Sequence, residues 1–211
     1  MKKTALILID LQNDFCQGGR LAVPDGDAVI PMANQLQPHF DLVVATQDWH
    51  PQNHMSFASN HAGHQVGDMI KLRDVDQILW PDHCVQNSKG AEFHPALNTN
   101  AIQKIFRKGI DPSVDSYSAF YDNAHLRATG LEEYLNNEKV TDIYIMGLAT
   151  DYCVKYSCLD ASQMNFNVYL IEDACRGVEL KSGDVANAIR EIQEAGVNTE
   201  FVDNLLQNQK T

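Results

Sequence analysis

Apolar residues along the chain gather into short runs bounded by turn residues, at Thr4 to Asp10, Leu42 to Asp48, Lys104 to Lys108, Asp142 to Leu148, Val168 to Asp173 and Thr199 to Val202. Most are apolar at successive positions rather than alternating, the mark of strands buried on both faces. Between most of them the spacing becomes helical. It predicts helices over Ala28 to Gln37 behind Asp27 as N-cap, from Thr129 with Glu132 completing a T-x-x-E capping box, over Cys153 to Met164, and over Gly183 to Ala195, capped by Ser182 and stopped by Gly196. Strands alternating with helices predict an α/β fold of three layers, a mostly parallel six-stranded sheet with helices on both faces, Rossmann-type in plan.

One segment breaks this rhythm. Residues 49–100 are rich in His, Asn, Pro and Gly, show no long periodic run, and hold six of the eight histidines and both tryptophans. A loop region this long inside a compact domain usually carries function. No repeat or linker divides the chain, so a single domain over residues 1–211 is expected, with a ligand-binding loop region at about 49–100.

Composition removes several classes. A chain of 211 residues that is 44% hydrophobic suits a globular domain and excludes disorder as the whole answer. With Lys+Arg 16 against Asp+Glu 28 the net charge is -12, which argues against nucleic acid and anionic membranes as partners. The longest apolar run, Ile143 to Ala149, is far short of the roughly 18 residues of a membrane span. The opening MKKTALILID ends its apolar stretch at Asp10 with no small-residue cleavage site behind it, so a first strand in a cytoplasmic protein is expected rather than a signal peptide. Cys16, Cys84, Cys153, Cys158 and Cys175 are odd in number and contain no C-x-x-C, so neither a disulfide framework nor a zinc knuckle is expected.

In an open parallel sheet, ligands sit beyond the carboxyl ends of the strands. Those ends carry Asp10, Asp48, Lys108, the stretch GLATDYC running to Cys153, and Asp173. Each alone fits a solvated strand end or a helix cap; together, converging charges and a cysteine suggest catalysis. Cys153 lies where a strand turns into a helix, whose first N–H groups stabilise a thiolate and an oxyanion. Asp10, from the adjacent strand, is able to take the thiol proton and return it to a leaving group, and Lys108 adds a fixed positive charge. Cys158 and Cys175 sit within apolar patterns and read as core. Asp48 and His50, two apart in extended backbone, point to one side while Trp49 points to the other. With His54 close behind, and another imidazole in W-P-D-H-C at Trp80 to Cys84, this set suits zinc, iron or manganese. His39 and His125 read as surface residues.

These motifs, D-x-Q-N-D-F at Asp10 to Phe15, D-W-H-P at Asp48 to Pro51, W-P-D-H-C, F-R-K-G around Lys108, Y-S-A-F at Tyr117 to Phe120 and G-L-A-T-D-Y-C-V at Gly147 to Val154, occur in order along nearly the whole chain. Jointly they resemble the nicotinamidase (pyrazinamidase) branch of the isochorismatase-like cysteine hydrolases. The resemblance implies hydrolysis of nicotinamide to nicotinate and ammonia in NAD salvage, with pyrazinamide as a second substrate. It implies a triad of Asp10, Lys108 and Cys153, and one divalent metal ion on Asp48, His50 and His83, with His54 a fourth ligand or bound through water. Phe15, Trp80, Tyr117 and Tyr152 would wall the substrate, and the N–H groups of Ala149 and Cys153 would form an oxyanion hole after a non-proline cis bond between Leu148 and Ala149. The partner implied is a small molecule, with the oligomeric state left open. Alternatives are a related amidase or isochorismatase-type hydrolase with another substrate, a hydrolase whose metal activates water while Cys153 is merely packed, and a non-enzymatic metal or redox sensor.

Overall fold

The computed structural model describes residues 2–207. In chain order its elements are β1 (Thr4–Ile9), α1 (Val29–Leu36), β2 (Leu42–Asp48), β3 (Met69–Leu72), β4 (Val75–Ile78), β5 (Lys104–Lys108), α2 (Leu131–Asn137), β6 (Asp142–Leu148), α3 (Lys155–Ser162), β7 (Asn167–Arg176), α4 (Asp184–Glu194), β8 (Asn198–Glu200) and α5 (Val202–Gln207), with short 3-10 turns between some of them. The six-stranded sheet has the order β5-β2-β1-β6-β7-β8, and every neighbouring pair is parallel. Residues Ala5 to Ile9 of β1 are wholly buried and all of β2 is buried, which explains why these runs show no alternation. Helix α1 packs on β6 and β7 beside α5, while α3 packs on β7 beside α4. The chain leaves β1 toward β2 and β5, then returns to the other side of β1 with β6. That reversal opens a crevice at the carboxyl ends of β1 and β6.

The six expected strands all form, but several ends differ. Strand β6 stops at Leu148; Thr150–Val154 form a π-turn and α3 starts only at Lys155, so Cys153 lies in the turn rather than at the end of a strand or within a regular helix. Strand β7 continues past Asp173 to Arg176. Val202 begins α5 instead of ending a strand, its N–H held 3.0 Å from an Asp173 carboxylate oxygen.

The caps differ more. Asp27 does not cap α1; Ala28 holds that position, and the Asp27 carboxylate accepts the Gln17 N–H at 2.7 Å. The Thr129–Glu132 box is not formed, because Gly130 takes the cap position at φ 88 and Glu132 accepts the Tyr121 hydroxyl at 3.2 Å. At α4, Gly183 replaces Ser182, and the Glu179 carboxylate accepts the N–H groups of Gly183 (2.6 Å) and Val185 (2.9 Å). Only at α4 does another side chain do the work expected of the local residue; α1 has no side-chain cap, and at α2 Thr129 Oγ1 still accepts the Leu131 N–H at 3.2 Å. Gly196 does stop α4, its left-handed backbone (φ 87) letting the Val197 N–H reach the Ile192 carbonyl at 3.3 Å.

The loop region contains one regular element that the pattern did not reveal, the antiparallel β3–β4 hairpin. Its turn places Arg73 (φ 48) and Asp74 (φ 65) in the left-handed region, a conformation whose usual signal is Asn-Gly or Asp-Gly.

Candidate active site

The order β5-β2-β1-β6 lines up the carboxyl ends that carry Lys108, Asp48, Asp10 and the turn holding Cys153. Asp10, the first residue beyond β1, adopts φ 50 and is fully buried. Thr46 on β2 fixes it, donating its hydroxyl to Asp10 Oδ1 (2.7 Å) and accepting the Asp10 N–H (3.1 Å). Lys108 pairs in register with Asp48. Its buried Nζ lies 2.9 Å from Asp10 Oδ2, 2.5 Å from Asp48 Oδ1, 3.0 Å from the Ser116 carbonyl and 3.4 Å from Cys153 Sγ. An ammonium is tolerated at this depth only when its donors are matched by acceptors and its charge by carboxylates, and here both conditions hold.

The electrostatics follow from this packing. Burial pushes the Asp10 carboxyl up to about 6, aided by the Asp48 charge and opposed by Lys108 and Thr46. Burial also pushes the Cys153 thiol well above its ordinary range, with Lys108 opposing. For Lys108 burial acts downward, but Asp10 and Asp48 outweigh it and hold the ammonium charged. The thiol is therefore protonated at rest beside a carboxylate able to receive its proton.

Beside this group lies an imidazole cluster. Offered ligand atoms of Asp48, His50 and His83 all fall within 4.8 Å of one another. His50 Nδ1 donates to the Gly109 carbonyl (2.9 Å) and His83 Nδ1 donates to the Pro81 carbonyl (2.8 Å). Each Nε2 therefore carries a lone pair, and the two lie 3.6 and 3.8 Å from Asp48 Oδ2. His50 Nε2 and His54 Nε2 are both buried with no hydrogen-bond partner among the described residues. Asp10 and Asp48 share one buried lysine and Asp115 lies beside His50 and His54, an excess of negative charge that a divalent cation would balance. The donor set and the charge both fit such an ion. Close approach matters at Gly109 (φ 65), where a Cβ would lie 2.2 Å from the His50 ring.

His54 groups with His50 and Asp115 rather than with the full Asp48 set. Its Nδ1 accepts the Ser56 backbone N–H (3.2 Å) and lies 2.7 Å from the Ser56 hydroxyl, so the ring proton belongs on Nε2. The remaining histidines of the loop do not join: His61 bonds the Met55 carbonyl, His64 pairs with Asp68 and His94 with Asp27.

Phe15, Trp80, Tyr117 and Tyr152 line one cavity with Asp48, His83, Ala149 and Cys153. The Leu148–Ala149 peptide is cis, as the resemblance implied. Trp49 points away and stacks on the Arg107 guanidinium, 3.9 Å from its ring centre. Cys158 and Cys175 are buried in the core, and all five cysteines are unpaired. Sequence reasoning missed Leu21, Asp115 and Val178 on the cavity wall, and Thr46 behind Asp10. Asp115 stands two residues before the quoted Tyr117 and could have been suspected; Leu21 and Val178 look like ordinary apolar loop residues.

A three-layer α/β protein with its polar groups at the switch point of a parallel sheet is the class these features define. The Isochorismatase domain model matches residues 4–200, and the chain belongs to that family. It is 50% identical over 200 residues to the nicotinamidase of Escherichia coli strain K12, covering 93% of each chain. Among solved structures, a nicotinamidase and pyrazinamidase of Acinetobacter baumanii superposes with a TM-score of 0.94 at 45% identity, over 97% of this chain and 99% of that one. The pyrazinamidase of Pyrococcus horikoshii in complex with zinc gives 0.77 at 37% identity, over 94% and 99%. No helix among the described residues is long and apolar enough to cross a membrane.

Proposed function

We propose that the chain hydrolyses nicotinamide to nicotinate and ammonia, and pyrazinamide to pyrazinoate, with residues 1–211 acting as one hydrolase domain. Relatives named for these activities support the reading. The observation that carries it is Lys108 Nζ, one buried ammonium in reach of Asp10, Asp48 and Cys153, which ties a thiol and its proton acceptor to the Asp/His cluster. Asp48, His50 and His83 would hold a divalent ion of the zinc, iron or manganese class, which would supply a Lewis-acid site for the substrate ring nitrogen. His54 is left outside that ligand set, since its Nδ1 accepts the Ser56 N–H and its proton then sits on Nε2.

The residues then divide the work. As Cys153 Sγ bonds to the carboxamide carbon, its proton passes to Asp10, and the carbonyl electron pair moves onto oxygen between the N–H groups of Ala149 and Cys153. Asp10 returns the proton to the amide nitrogen, the C–N bond breaks and ammonia leaves a thioester. Water attacks the thioester carbon with Asp10 as base, releasing nicotinate and restoring the thiol. Lys108 stays charged throughout and holds Asp10 and Asp48 in place. Phe15, Trp80, Tyr117 and Tyr152 flank the ring. The unpaired cysteines support a reducing, cytoplasmic setting. Incubating the purified, metal-loaded chain with nicotinamide should release ammonia and nicotinate in equal amounts; ammonia no faster than in an enzyme-free control would overturn the assignment.

A further inference from the structure

The β3–β4 hairpin buries only one of its eight strand residues, and that residue is polar: Gln77, 2% exposed. A buried amide is costly unless each of its atoms is bonded. Here all are. Gln77 Nε2 lies 2.7 Å from the Ile78 carbonyl, 3.0 Å from the Tyr117 hydroxyl and 3.3 Å from Asp115 Oδ2, while its Oε1 accepts from Asn123 Nδ2 at 3.4 Å. Exchanging the amide nitrogen and oxygen would set an oxygen against a carbonyl and a carboxylate, so the network fixes the orientation. The Tyr117 hydroxyl oxygen also accepts the Trp80 indole N–H at 3.0 Å. Two donors thus fill both of its lone pairs and fix the angle between the Tyr117 and Trp80 rings. Tyr152 closes the cage, edge-on to Trp80 at 4.9 Å and to Tyr117 at 5.5 Å between ring centres. Gln77 itself does not line the cavity.

We propose that Gln77 is a positioning residue for substrate binding, acting through the Tyr117 hydroxyl to set the aromatic walls against which the substrate ring is held. The inference rests on the nicotinamide reading but fails separately from it. Removing the amide loosens the ring's binding site without touching Asp10, Lys108 or Cys153, so the effect belongs in KM rather than kcat.

The test compares steady-state constants for nicotinamide in Gln77→Leu, Tyr117→Phe, the double variant and Arg73→Ala. Gln77→Leu and Tyr117→Phe should each raise KM by about 10- to 100-fold with kcat within a few-fold, a size in line with small misplacements of a bound substrate. The double variant should fall well short of the two single losses multiplied together, because both remove the same hydroxyl-centred link, while Gln77→Leu alone also unpairs Asp115 and Asn123. Arg73→Ala cuts the bonds of the hairpin tip to the Ser113 hydroxyl and removes a charge near Asp111, and should leave both constants unchanged. An unshifted KM in Gln77→Leu, additive losses in the double variant, or an equal KM rise in Arg73→Ala overturns the proposal. Should Gln77→Leu fail to fold, Gln77→Met decides, since it fills the same space without the donor to the Tyr117 hydroxyl. An inactive parent chain refutes the nicotinamide reading instead, and the clamp is then read from quenching of tryptophan fluorescence by nicotinate in parent and variants, where equal affinities overturn it.

Discussion

Asp10, Asp48, Lys108 and the turn with Cys153 stand at the ends of four adjacent parallel strands, whereas His50, His54, His83, Trp80 and Tyr117 hang on segments with hardly any ladder of their own. The first group inherits its spacing from strand register, such as Asp48 opposite Lys108. The second is stapled by individual polar side chains. The Gln12 amide donates to the Asp48 and Ala91 carbonyls at 2.8 and 2.9 Å and accepts the Asp48 N–H at 2.8 Å. Asp14 Oδ2 accepts the Cys84 N–H at 2.7 Å, next to His83, and Gln86 Nε2 donates to the Trp49 carbonyl at 3.0 Å. Each such buried bond costs roughly 1–3 kcal/mol to leave unmade. Changes at Asp10, Lys108 and Cys153 should therefore delete a chemical step, and changes at Asp48 and in the loops should displace or loosen a ligand.

The largest effect is expected at the strand ends. Cys153→Ala should reduce turnover by about 10⁴-fold or more, as loss of a nucleophile does. Its circular dichroism and metal content should match the parent, because a methyl group fits where the thiol was. Acid quench of the parent during turnover should leave acyl mass on the peptide containing Cys153. Acylation of Cys84 or Cys16 instead, or substantial activity in the alanine variant, would erase the distinction between a reacting strand side and a binding loop side.

On the loop side, His50→Ala should lose the metal ion, while His54→Ala should keep one ion per chain, measured by elemental analysis after dialysis. The difference follows from the ring protons: His50 Nε2 keeps a lone pair 3.6 Å from Asp48 Oδ2, and His54 carries its proton on Nε2. Benzamide, which lacks the ring nitrogen, should be poorer than nicotinamide by about 10²-fold or more in kcat/KM, the range in which sites built for one polar atom reject its absence. Equal turnover of both amides, with both lost on chelation, would move the ion to the reacting carbon. Loss of the ion from His54→Ala would return His54 to the ligand set.

The same contrast explains what the sequence made legible. Buried central strands announce themselves by unbroken apolar runs, and whatever follows them lies at the carboxyl edge, so Asp10, Asp48, Lys108 and Cys153 were readable from position alone. His83 was read from its place in a histidine-rich polar loop and the aromatic walls from motif resemblance, since no periodicity predicts where an irregular loop returns. The helix caps were misread because Glu179 and the glycines compete with the local Ser and Thr only once the chain has folded. The hairpin went unseen because Arg73 and Asp74 hold a turn usually marked by glycine, and Gln77 with it, because a buried glutamine on a short polar strand looks like surface until its partners are in place.

The smallest effect sharpens the comparison by asking which side sets the pH dependence. Asp10 must be ionised to receive the thiol proton, and burial has raised its pKa to about 6. As pH falls through about 6 the carboxylate takes up a proton from solvent, the acceptor is lost, and kcat/KM should drop about tenfold per unit well below that point. Thr46 donates to Asp10 Oδ1 and so favours the ionised form. In Thr46→Val the charged carboxylate loses that donor, its pKa rises further, and the acid limb should move to higher pH by about one unit, as a hydrogen bond to a charged group would imply. The Thr46 hydroxyl bonds Asp10 and none of the imidazoles, so metal content and the KM ratio of nicotinamide to benzamide should not change. A limb that stays fixed in Thr46→Val but shifts in His54→Ala would assign the titration to the loop cluster and remove Asp10 as the proton acceptor.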